Sequence, residues 1–279
     1  MAKTWLITGA SRGLGFELAV AALEAGENVV ATARRPEQLR TLVERYGDRV
    51  RTTALDVTDE EAARAAVALA VRELGRLDVV ANNAGYANSA PIELTSDADF
   101  RGQFEANFFG LVNVTRAALP LFREQRSGHY VQYSSVGGRV GGSSGLAAYQ
   151  SAKFAVEGFS EVLANELRPF GVKVTIVEPG AFRTEWQGSS MTMDDGGPDY
   201  AESVGAMHRF RRETQGRQPG DPARAGKAVV QAVALEAPPR RLVLGASAVD
   251  YVRRSEEARL AELERFAPLS RSADFPEGE

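Results

Sequence analysis

Short apolar, often β-branched runs alternate with alanine-rich helical stretches along most of the chain. This alternation predicts a parallel sheet with helices on both faces. The near-continuous apolar character of the runs is typical of strands that are buried on both sides. The predicted strands are Thr4–Thr8, Asn28–Thr32, Val50–Leu55, Leu77–Ala81, His129–Ser134, Lys173–Glu178 and Arg241–Leu244, and the predicted helices span 13–25, 36–46, 59–74, 96–124, 147–169 and 221–236.

Two stretches depart from the alternation. Residues 185–220 are polar, glycine-containing and irregular, and within them 185–215 is predicted to be a substrate lid. Residues 246–279 have the pattern of one charged amphipathic helix with an acidic end. No linker rich in Pro, Gly or Ser divides the rest, so we expect one domain over 1–245 and a helical extension over 246–279. Pro120 is predicted to kink or end the helix in which it lies.

Composition excludes several classes of function. The 279-residue chain has no cysteine, which excludes disulfides, thiol catalysis and thiolate metal sites. Its only histidines are His129 and His208, so no metal site is expected. A net charge of −4 gives no reason to expect nucleic acid as a partner. No apolar run approaches the roughly 18 residues of a membrane span, and the N-terminus lacks the pattern of a signal peptide. The expected location is the cytoplasm.

A glycine-rich turn follows the first predicted strand and precedes the first helix. The segment reads Thr8-Gly9-Ala10-Ser11-Arg12-Gly13-Leu14-Gly15. Glycines let the backbone turn tightly and approach a ligand closely, and a helix N-terminus attracts phosphate. A glycine-rich turn can also be only a tight turn. Its place between the first strand and the first helix favours nucleotide binding.

Basic residues stand where many NAD-binding proteins carry an acid. That acid, at the end of the second strand, binds the ribose 2′-hydroxyl, whereas an arginine accommodates a 2′-phosphate. Here Ala33 fills the place and Arg34 and Arg35 follow it. Arg12 lies in the glycine turn and can reach the same phosphate. We therefore predict that NADP(H) is preferred over NAD(H), chiefly through Arg34, while Arg35 is more typical of a solvated loop charge.

Tyr149 and Lys153 lie four residues apart on a predicted helix, so their side chains share one face. A nearby positive charge favours the phenolate of a tyrosine. Lowering a tyrosine pKa from about 10 to about 7 requires roughly 4 kcal/mol. Lys153 together with a cationic cofactor ring can supply that. The pair then predicts a general acid/base that works at neutral pH.

In order and spacing, these motifs resemble those of the short-chain dehydrogenase/reductase family of the short, single-domain type. The likeness covers residues 3 to about 245. It implies a single Rossmann-like, doubly wound α/β domain with about seven parallel strands. The resemblance also implies a homodimer or homotetramer formed through the long helices. In those helices Ala117, Ala118, Phe122, Phe154, Phe159 and Leu163 can serve an interface or the core.

The resemblance also implies the site residues. The catalytic group is Asn107, Ser135, Tyr149 and Lys153, although the serine–tyrosine spacing is one residue longer than is common and Ser134 is the alternative serine. We take Ser135 because Val-Gly-Gly follows it. The implied cofactor-binding residues are Gly9, Ser11, Arg12, Gly13, Leu14, Gly15, Arg34, Asp56, Val57, Asn83, Ala84, Gly85, Tyr149, Lys153, Pro179, Gly180 and Thr184.

The expected activity is reversible hydride transfer between NADP(H) and a carbonyl, as in a carbonyl reductase or alcohol dehydrogenase. Large apolar side chains in the lid favour a hydrophobic small-molecule substrate of aromatic, steroid-like or polyketide-like type, although they can equally pack the lid itself. Arg209, Arg211 and Arg212 can bind a carboxylate, but a solvated helix face suits them better. A catalytically silent NADPH-binding sensor or scaffold on the same fold is the alternative function. The large apolar side chains lie in the predicted pocket-forming segment 182–212 and are Phe182, Trp186, Met191, Met193, Tyr200, Met207 and Phe210.

Overall fold

Seven parallel strands form one sheet at the centre of the protein, which the computed structural model describes over residues 2–188 and 190–275. The strands are β1 (Thr4–Ile7), β2 (Asn28–Ala33), β3 (Val50–Ala54), β4 (Val79–Asn82), β5 (Gly128–Tyr133), β6 (Val172–Pro179) and β7 (Arg241–Leu244). Their order across the sheet is β3-β2-β1-β4-β5-β6-β7. The predicted doubly wound, Rossmann-like α/β fold is confirmed.

Helices cover both faces of this sheet and follow the predicted segments closely. They are α1 (Gly13–Glu24), α2 (Arg40–Tyr46), α3 (Glu60–Leu74), α4 (Asp97–Phe104), α5 (Gly110–Gln125), α6 (Val136–Arg139), α7 (Ala147–Leu167), α8 (Ala206–Thr214), α9 (Pro222–Ala234) and α10 (Ala246–Arg271). Ser189, within the predicted lid, and residues 276–279 of the predicted extension lie outside the described residues.

Neighbouring residues of each central strand enter opposite cores. In β1, Trp5 and Ile7 pack beneath α1 and α9, whereas Leu6 packs beneath α3, α5 and α7. In β2, Val29 and Val30 separate in the same way. Successive side chains of a strand point to opposite faces, so a strand that is apolar at every position must be covered twice. This is why the strand sequences show continuous apolar runs instead of alternation.

Local side chains fix where the covering helices begin and end. The carboxylate of Asp59 accepts hydrogen bonds from the backbone N–H groups of Glu61 and Ala62 at 2.9 and 3.1 Å, and so caps α3. Gly75 ends the same helix in the left-handed conformation, which costs glycine little. Asp221 caps α9 in the same manner as Asp59 caps α3. Such caps fix the residue at which each helix begins or ends.

The predicted helix over 96–124 contains a π-helical turn, Glu105–Phe109, between α4 and α5. The turn places Asn107 in a buried position. Pro120 was predicted to kink or end the helix, and it does not end it, because α5 continues to Gln125. Pro120 and Arg116 are both exposed, so the carbonyl that the proline leaves without a backbone donor lies on the solvent side.

The residues proposed for either core or interface differ in their burial. Ala118, Phe122 and Leu163 are buried in the core beneath α3, α5 and α7. By contrast, Phe154 on α7 remains 41% exposed. The first half of α10 packs on the body, but Leu260, Leu263 and Leu269 farther along it are exposed.

One close helix contact gives a test of the packing. A methyl group at Gly226 of α9 would lie 2.6 Å from the carbonyl oxygen of Glu17 in α1. Because backbone atoms cannot move aside cheaply, Gly226→Ala is expected to lower the free energy of unfolding by about 1–3 kcal/mol, measured by chemical denaturation. The exposed Gln231→Ala in the same helix serves as the control and should change it by less than about 0.5 kcal/mol. Equal values for the two variants would contradict this packing.

Candidate active site

A cavity of about 890 Å³ opens at the carboxyl edge of the sheet. Loops that follow β1 through β6 line it, as expected where the strand order reverses in a doubly wound sheet. Every predicted site residue except Gly15 lies on its wall. Those on the wall are Gly9, Ser11, Arg12, Gly13, Leu14, Arg34, Asp56, Val57, Asn83, Ala84, Gly85, Asn107, Ser135, Tyr149, Lys153, Pro179, Gly180 and Thr184.

The glycine turn requires its glycines for two different reasons. Gly9 and Gly13 have φ angles of +66° and +58°, a region that side chains disfavour. Gly15 is buried, and a methyl group there would lie 2.3 Å from the Nδ2 atom of Asn83. No side chain caps the N-terminus of α1, whose N-cap residue is Arg12. The free end of the helix, with its positive dipole, therefore suits a phosphate.

The loops after β1 and β4 are hydrogen bonded to each other. The Oγ1 atom of Thr8 accepts from the backbone N–H groups of Asn83 and Ala84 at 2.9 and 3.0 Å. The Nδ2 atom of Asn83 donates to the carbonyl oxygens of Thr8 and Gly9 at 2.9 and 3.2 Å. The amide of Asn83 is therefore used to shape the cavity, and Ala84 and Gly85 form the wall.

Three arginines surround the end of the cavity at β2. Arg12, Arg34 and Arg35 are exposed and line it, and Ala33 is the last residue of β2. Arg35, which sequence reasoning set aside as a loop charge, stands on the wall with the others. The carboxylate of Asp56 lies after β3, where it accepts hydrogen bonds from the N–H and hydroxyl groups of Thr58 at 3.0 and 2.8 Å. The end of the cavity at β2 is therefore basic, and its residues fit the phosphates of a dinucleotide.

Tyr149, Lys153 and Ser135 meet at the other end of the cavity. Both α7 side chains are buried, and the Nζ atom of Lys153 lies 5.7 Å from the centre of the Tyr149 ring. This ammonium donates to the carbonyl oxygen of Tyr133 at 2.8 Å. Ser135 caps α6 and hydrogen bonds Tyr149, whereas the Oγ atom of Ser134 donates to the Lys153 carbonyl oxygen at 3.4 Å. Only Ser135 of the two serines meets the phenol.

Burial acts on the two titrating groups in opposite directions. It raises the pKa of Tyr149 to about 12, although the hydrogen bond from Ser135 lowers it. Burial lowers the pKa of Lys153 to about 8, against the carboxylate of Glu157, which raises it. Low-dielectric surroundings disfavour the charged form of each group. In the protein alone, Lys153 therefore does not bring the pKa of Tyr149 near 7. A further positive charge, such as the cationic cofactor ring considered above, is needed to lower it.

Asn107 is held by the π-helical turn so that one side of its amide is satisfied. Its Nδ2 atom donates to the carbonyl oxygens of Tyr86 and Gln103, both at 2.8 Å. Its Oδ1 atom is buried and has no partner among the described residues. A methyl group at Gly85 would lie 2.4 Å from this oxygen and 3.6 Å from the Nζ atom of Lys153. Gly85 therefore leaves room beside both polar groups.

An apolar wall stands beside Tyr149. The ring of Trp186 lies 5.2 Å from that of Tyr149, centre to centre. The side chains packed with them are Ala87, Leu146, Met191 and Met193. Phe210, which the sequence placed among the candidate pocket residues, is instead 59% exposed on α8. The lid thus contributes only part of its apolar residues to the site.

A polar cluster, which we call the lid latch and which is buried except for its half-exposed Asp195, fastens the lid to the body. It consists of Ser89, Asp195, His208 and Arg211. The His208 ring contacts the Oγ atom of Ser89 at 2.6 Å and the Oδ1 atom of Asp195 at 2.5 Å. Arg211 donates to the same serine oxygen at 2.8 Å. Arg211 is buried, so the interpretation of Arg211 as part of a solvated helix face was wrong, although Arg209 and Arg212 are exposed.

In the latch a serine, a histidine and an aspartate contact one another in the order found in serine hydrolases, but Ser89 cannot reach a substrate. It is 1% exposed, and a methyl group at Gly145 would lie 2.6 Å from its hydroxyl oxygen. Backbone hydrogen bonds of 2.8 Å join Ser89 to Thr192 and Asp194 on the lid. The cluster is therefore structural. Sequence reasoning missed it because Ser89 and His208 are 119 residues apart.

Within the described ranges, no group of His, Cys, Asp and Glu residues could hold a metal ion. The same ranges contain no helix that is both long enough and apolar enough to span a bilayer.

Comparison with known proteins gives consistent matches. A family model described as short chain dehydrogenase matches residues 3–195. The oxidoreductase BOA17 of Botryotinia fuckeliana is 47% identical, over 97% of this chain and 98% of that protein. A 3-ketodihydrosphingosine reductase of Bacteroides thetaiotaomicron is 38% identical over 86% and 87%. The crystal structure of a short-chain dehydrogenase from Streptomyces avermitilis superposes with a TM-score of 0.91 at 43% identity, over 98% of both chains.

The lid latch can be tested by removing one hydroxyl group. Ser89→Ala leaves the buried Nε2 atom of His208 and the buried guanidinium of Arg211 without their partner, so we expect the free energy of unfolding to fall by about 1–3 kcal/mol. The lid should also become more sensitive to proteolysis. Ser203→Ala, an exposed serine of the same lid, is the control and should change neither measurement. If the two variants behaved alike, the latch would not hold the lid.

Proposed function

The chain belongs to the short-chain dehydrogenase family, and on that basis we propose that it is an NADP(H)-dependent oxidoreductase that interconverts a ketone or aldehyde and an alcohol. The observation that carries the proposal is the meeting of Tyr149, Lys153 and Ser135 at the end of one cavity that also contains the glycine turn. A proton donor, a fixed cation and a phosphate cradle in one pocket are the parts that carbonyl reduction requires.

In the proposed mechanism, Tyr149 is the general acid in the reductive direction. When bound, the dinucleotide supplies the hydride that reaches the carbonyl carbon. Tyr149 gives its phenolic proton to the carbonyl oxygen as negative charge develops there. Ser135 donates a hydrogen bond to the same oxygen, so the growing charge meets donors that are already in place. In the oxidative direction Tyr149 takes the proton back.

Lys153 has two tasks in this proposal. Its ammonium is held by the carbonyl oxygen of Tyr133 and favours the phenolate form of Tyr149 when the proton leaves. It also faces the part of the cavity where ribose hydroxyls would lie. The buried Oδ1 atom of Asn107, which has no partner among the described residues, supports a water site that links Lys153 to solvent.

The basic end of the cavity supports NADP(H) over NAD(H). Arg34 and Arg12 present two guanidinium groups on its wall, and no acid ends β2 to bind a free 2′-hydroxyl. Arg35 stands beside them and adds to the positive field. A planar guanidinium can bind a phosphate with two parallel hydrogen bonds. We assign Arg34 the main contact because it directly follows Ala33.

The apolar wall supports a hydrophobic carbonyl substrate, such as an aromatic, steroid-like or polyketide-like ketone. Trp186, Met191 and Leu146 border the ring of Tyr149, where the reacting carbonyl would lie. The relative named as a 3-ketodihydrosphingosine reductase is consistent with a ketone that carries an apolar body. The alternative function, a silent NADPH sensor, does not require Ser135 and Tyr149 to be hydrogen bonded at the cavity wall.

We further propose that the active form is a homodimer or homotetramer in the cytoplasm. Phe154 and Val162 lie two turns apart on α7 and are 41% and 57% exposed, and Phe109 of the neighbouring π-helical turn is 46% exposed. An apolar stripe on the helix that carries Tyr149 supports contact with a second copy.

The first test of the function replaces the proposed acid. Tyr149→Phe keeps the ring but removes the proton, so kcat for NADPH-dependent reduction of hydrophobic ketones and aldehydes should fall at least a hundredfold or so. NADPH affinity, measured by fluorescence titration, should change little. Tyr46→Phe is the control, because its buried hydroxyl has no hydrogen-bond partner among the described residues. Normal turnover by Tyr149→Phe would refute the mechanism, and NADPH binding without turnover by the wild type on any carbonyl would favour the sensor.

A second test concerns cofactor choice. Arg34→Asp replaces the proposed phosphate contact by an acid, so the Kd of NADPH should rise about tenfold or more while that of NADH stays similar or falls. Arg40→Asp makes the same change of charge on an exposed residue outside the cavity and should leave both values as they are. An unchanged ratio of the two affinities in Arg34→Asp would show that Arg34 does not select NADP(H).

A further inference from the structure

A charged network lies directly behind the active site, and none of its members touches the cavity. It joins two carboxylates, Glu157 of α7 and Glu178 of β6, to two guanidinium groups, Arg241 of β7 and Arg139 of α6. The Nε atom of Arg241 lies 3.1 Å from an oxygen of Glu157 and 3.1 Å from one of Glu178. Arg139 lies 3.3 Å from the other oxygen of Glu178.

Three of its four members sit close in sequence to a residue of the proposed site. Glu157 lies one helical turn after Lys153, and Glu178 directly precedes Pro179. Arg139 lies in the short helix that Ser135 caps. The network therefore connects three segments that carry the proposed catalytic and cofactor-binding groups. Breaking such a buried pair leaves an uncompensated charge, so its arrangement is firmly held.

The two carboxylates of the network are buried, so water screens their charges weakly. The side chains of Glu157 and Glu178 are 8% and 0% exposed. One oxygen of Glu157 has no hydrogen-bond partner among the described residues. Water screens such charges little, so their fields act over longer distances than those of surface ions. The outer members are better solvated, since Glu161 beside Arg241 and Glu256 beside Arg139 are 50% and 47% exposed.

We propose that Glu157 is a positioning residue for the reaction, because its buried carboxylate stabilises the charged ammonium of Lys153 against the cost of burial. Glu178, Arg241 and Arg139 hold Glu157 in place and fix it to α6 and β6. The inference deepens the proposed function and rests on its assignment of Lys153.

The electrostatic signs agree with the geometry. Burial lowers the pKa of Lys153 to about 8, and Glu157 is the group that raises it. Loss of the Glu157 charge would leave burial unopposed at Lys153. Burial favours the neutral amine, so the pKa of Lys153 should fall further. Because Lys153 stabilises the phenolate of Tyr149, the pH dependence of turnover should move with it.

The decisive experiment measures the charge of Lys153 directly. The chain has only four lysines, Lys3, Lys153, Lys173 and Lys227, so carbon-labelled lysine gives few NMR signals, and Lys153→Arg identifies the one from Lys153. In Glu157→Gln, without cofactor, the titration midpoint of Lys153 should move down by roughly one pH unit. Glu161→Gln removes an equal charge from the same helix and the same arginine, but from a solvated position, and should not move it.

Turnover provides the second readout. The alkaline limb of the pH profile for carbonyl reduction at which Lys153 loses its charge should move down by the same amount in Glu157→Gln and stay in place in Glu161→Gln. Should Glu157→Gln fail to fold, Glu157→Asp keeps the charge and must retain the wild-type midpoint despite a lower Tm. Equal midpoints in Glu157→Gln and wild type, or a shift in Glu157→Asp, would overturn the inference. Absence of carbonyl reduction by the wild type would instead refute the proposed function. The NMR titration of Lys153 would then still test the interaction between Glu157 and Lys153.

Discussion

The hydrogen bonds between the loops after β1 and β4 are the constraint on which the cavity depends. Asn83 and Thr8 satisfy each other's backbone groups, so two loops with little regular structure become rigid. The contact is so close that Gly15 has no room for a methyl group. The parallel sheet brings these loops together because the carboxyl ends of β1 and β4 are neighbours. That contact fixes the positions of the glycine turn and of Gly85, which lies beside Lys153 on the cavity wall.

Burial of ionisable groups is the main electrostatic cost at the other end of the cavity. It opposes the charged form of both Tyr149 and Lys153, yet the proposed chemistry needs Tyr149 to give up its proton while Lys153 stays charged. The protein offsets part of this cost with neighbours of fixed position, namely the hydroxyl of Ser135 and the carboxylate of Glu157. Burial raises the pKa of Glu178 to about 7, with Glu157 adding to the rise, which shows how closely the network behind the site is coupled.

Much of the fold and of the candidate site could be predicted from the sequence, because the signals were local. Each predicted strand overlaps an observed one, because an apolar run of four to eight residues is by itself typical of a buried strand. The glycine turn and the tyrosine–lysine pair are likewise short patterns. The lid latch and the charged network could not be foreseen, because their partners are distant in sequence. Arg211 reads as one more arginine in a polar helix until Ser89, 122 residues earlier, is placed beside it.

The cavity is assembled from two parts that are fastened independently. The dinucleotide end is built from backbone that is packed too tightly to accept even a methyl group at several positions. The lid is attached through the latch and a few backbone hydrogen bonds, and its side chains near Tyr149 are adaptable methionines and one tryptophan. Because different contacts hold the two parts, substitutions in the lid need not disturb the glycine turn. A lineage of such proteins can acquire new substrates by exchanging lid residues while the machinery for the cofactor stays as it is.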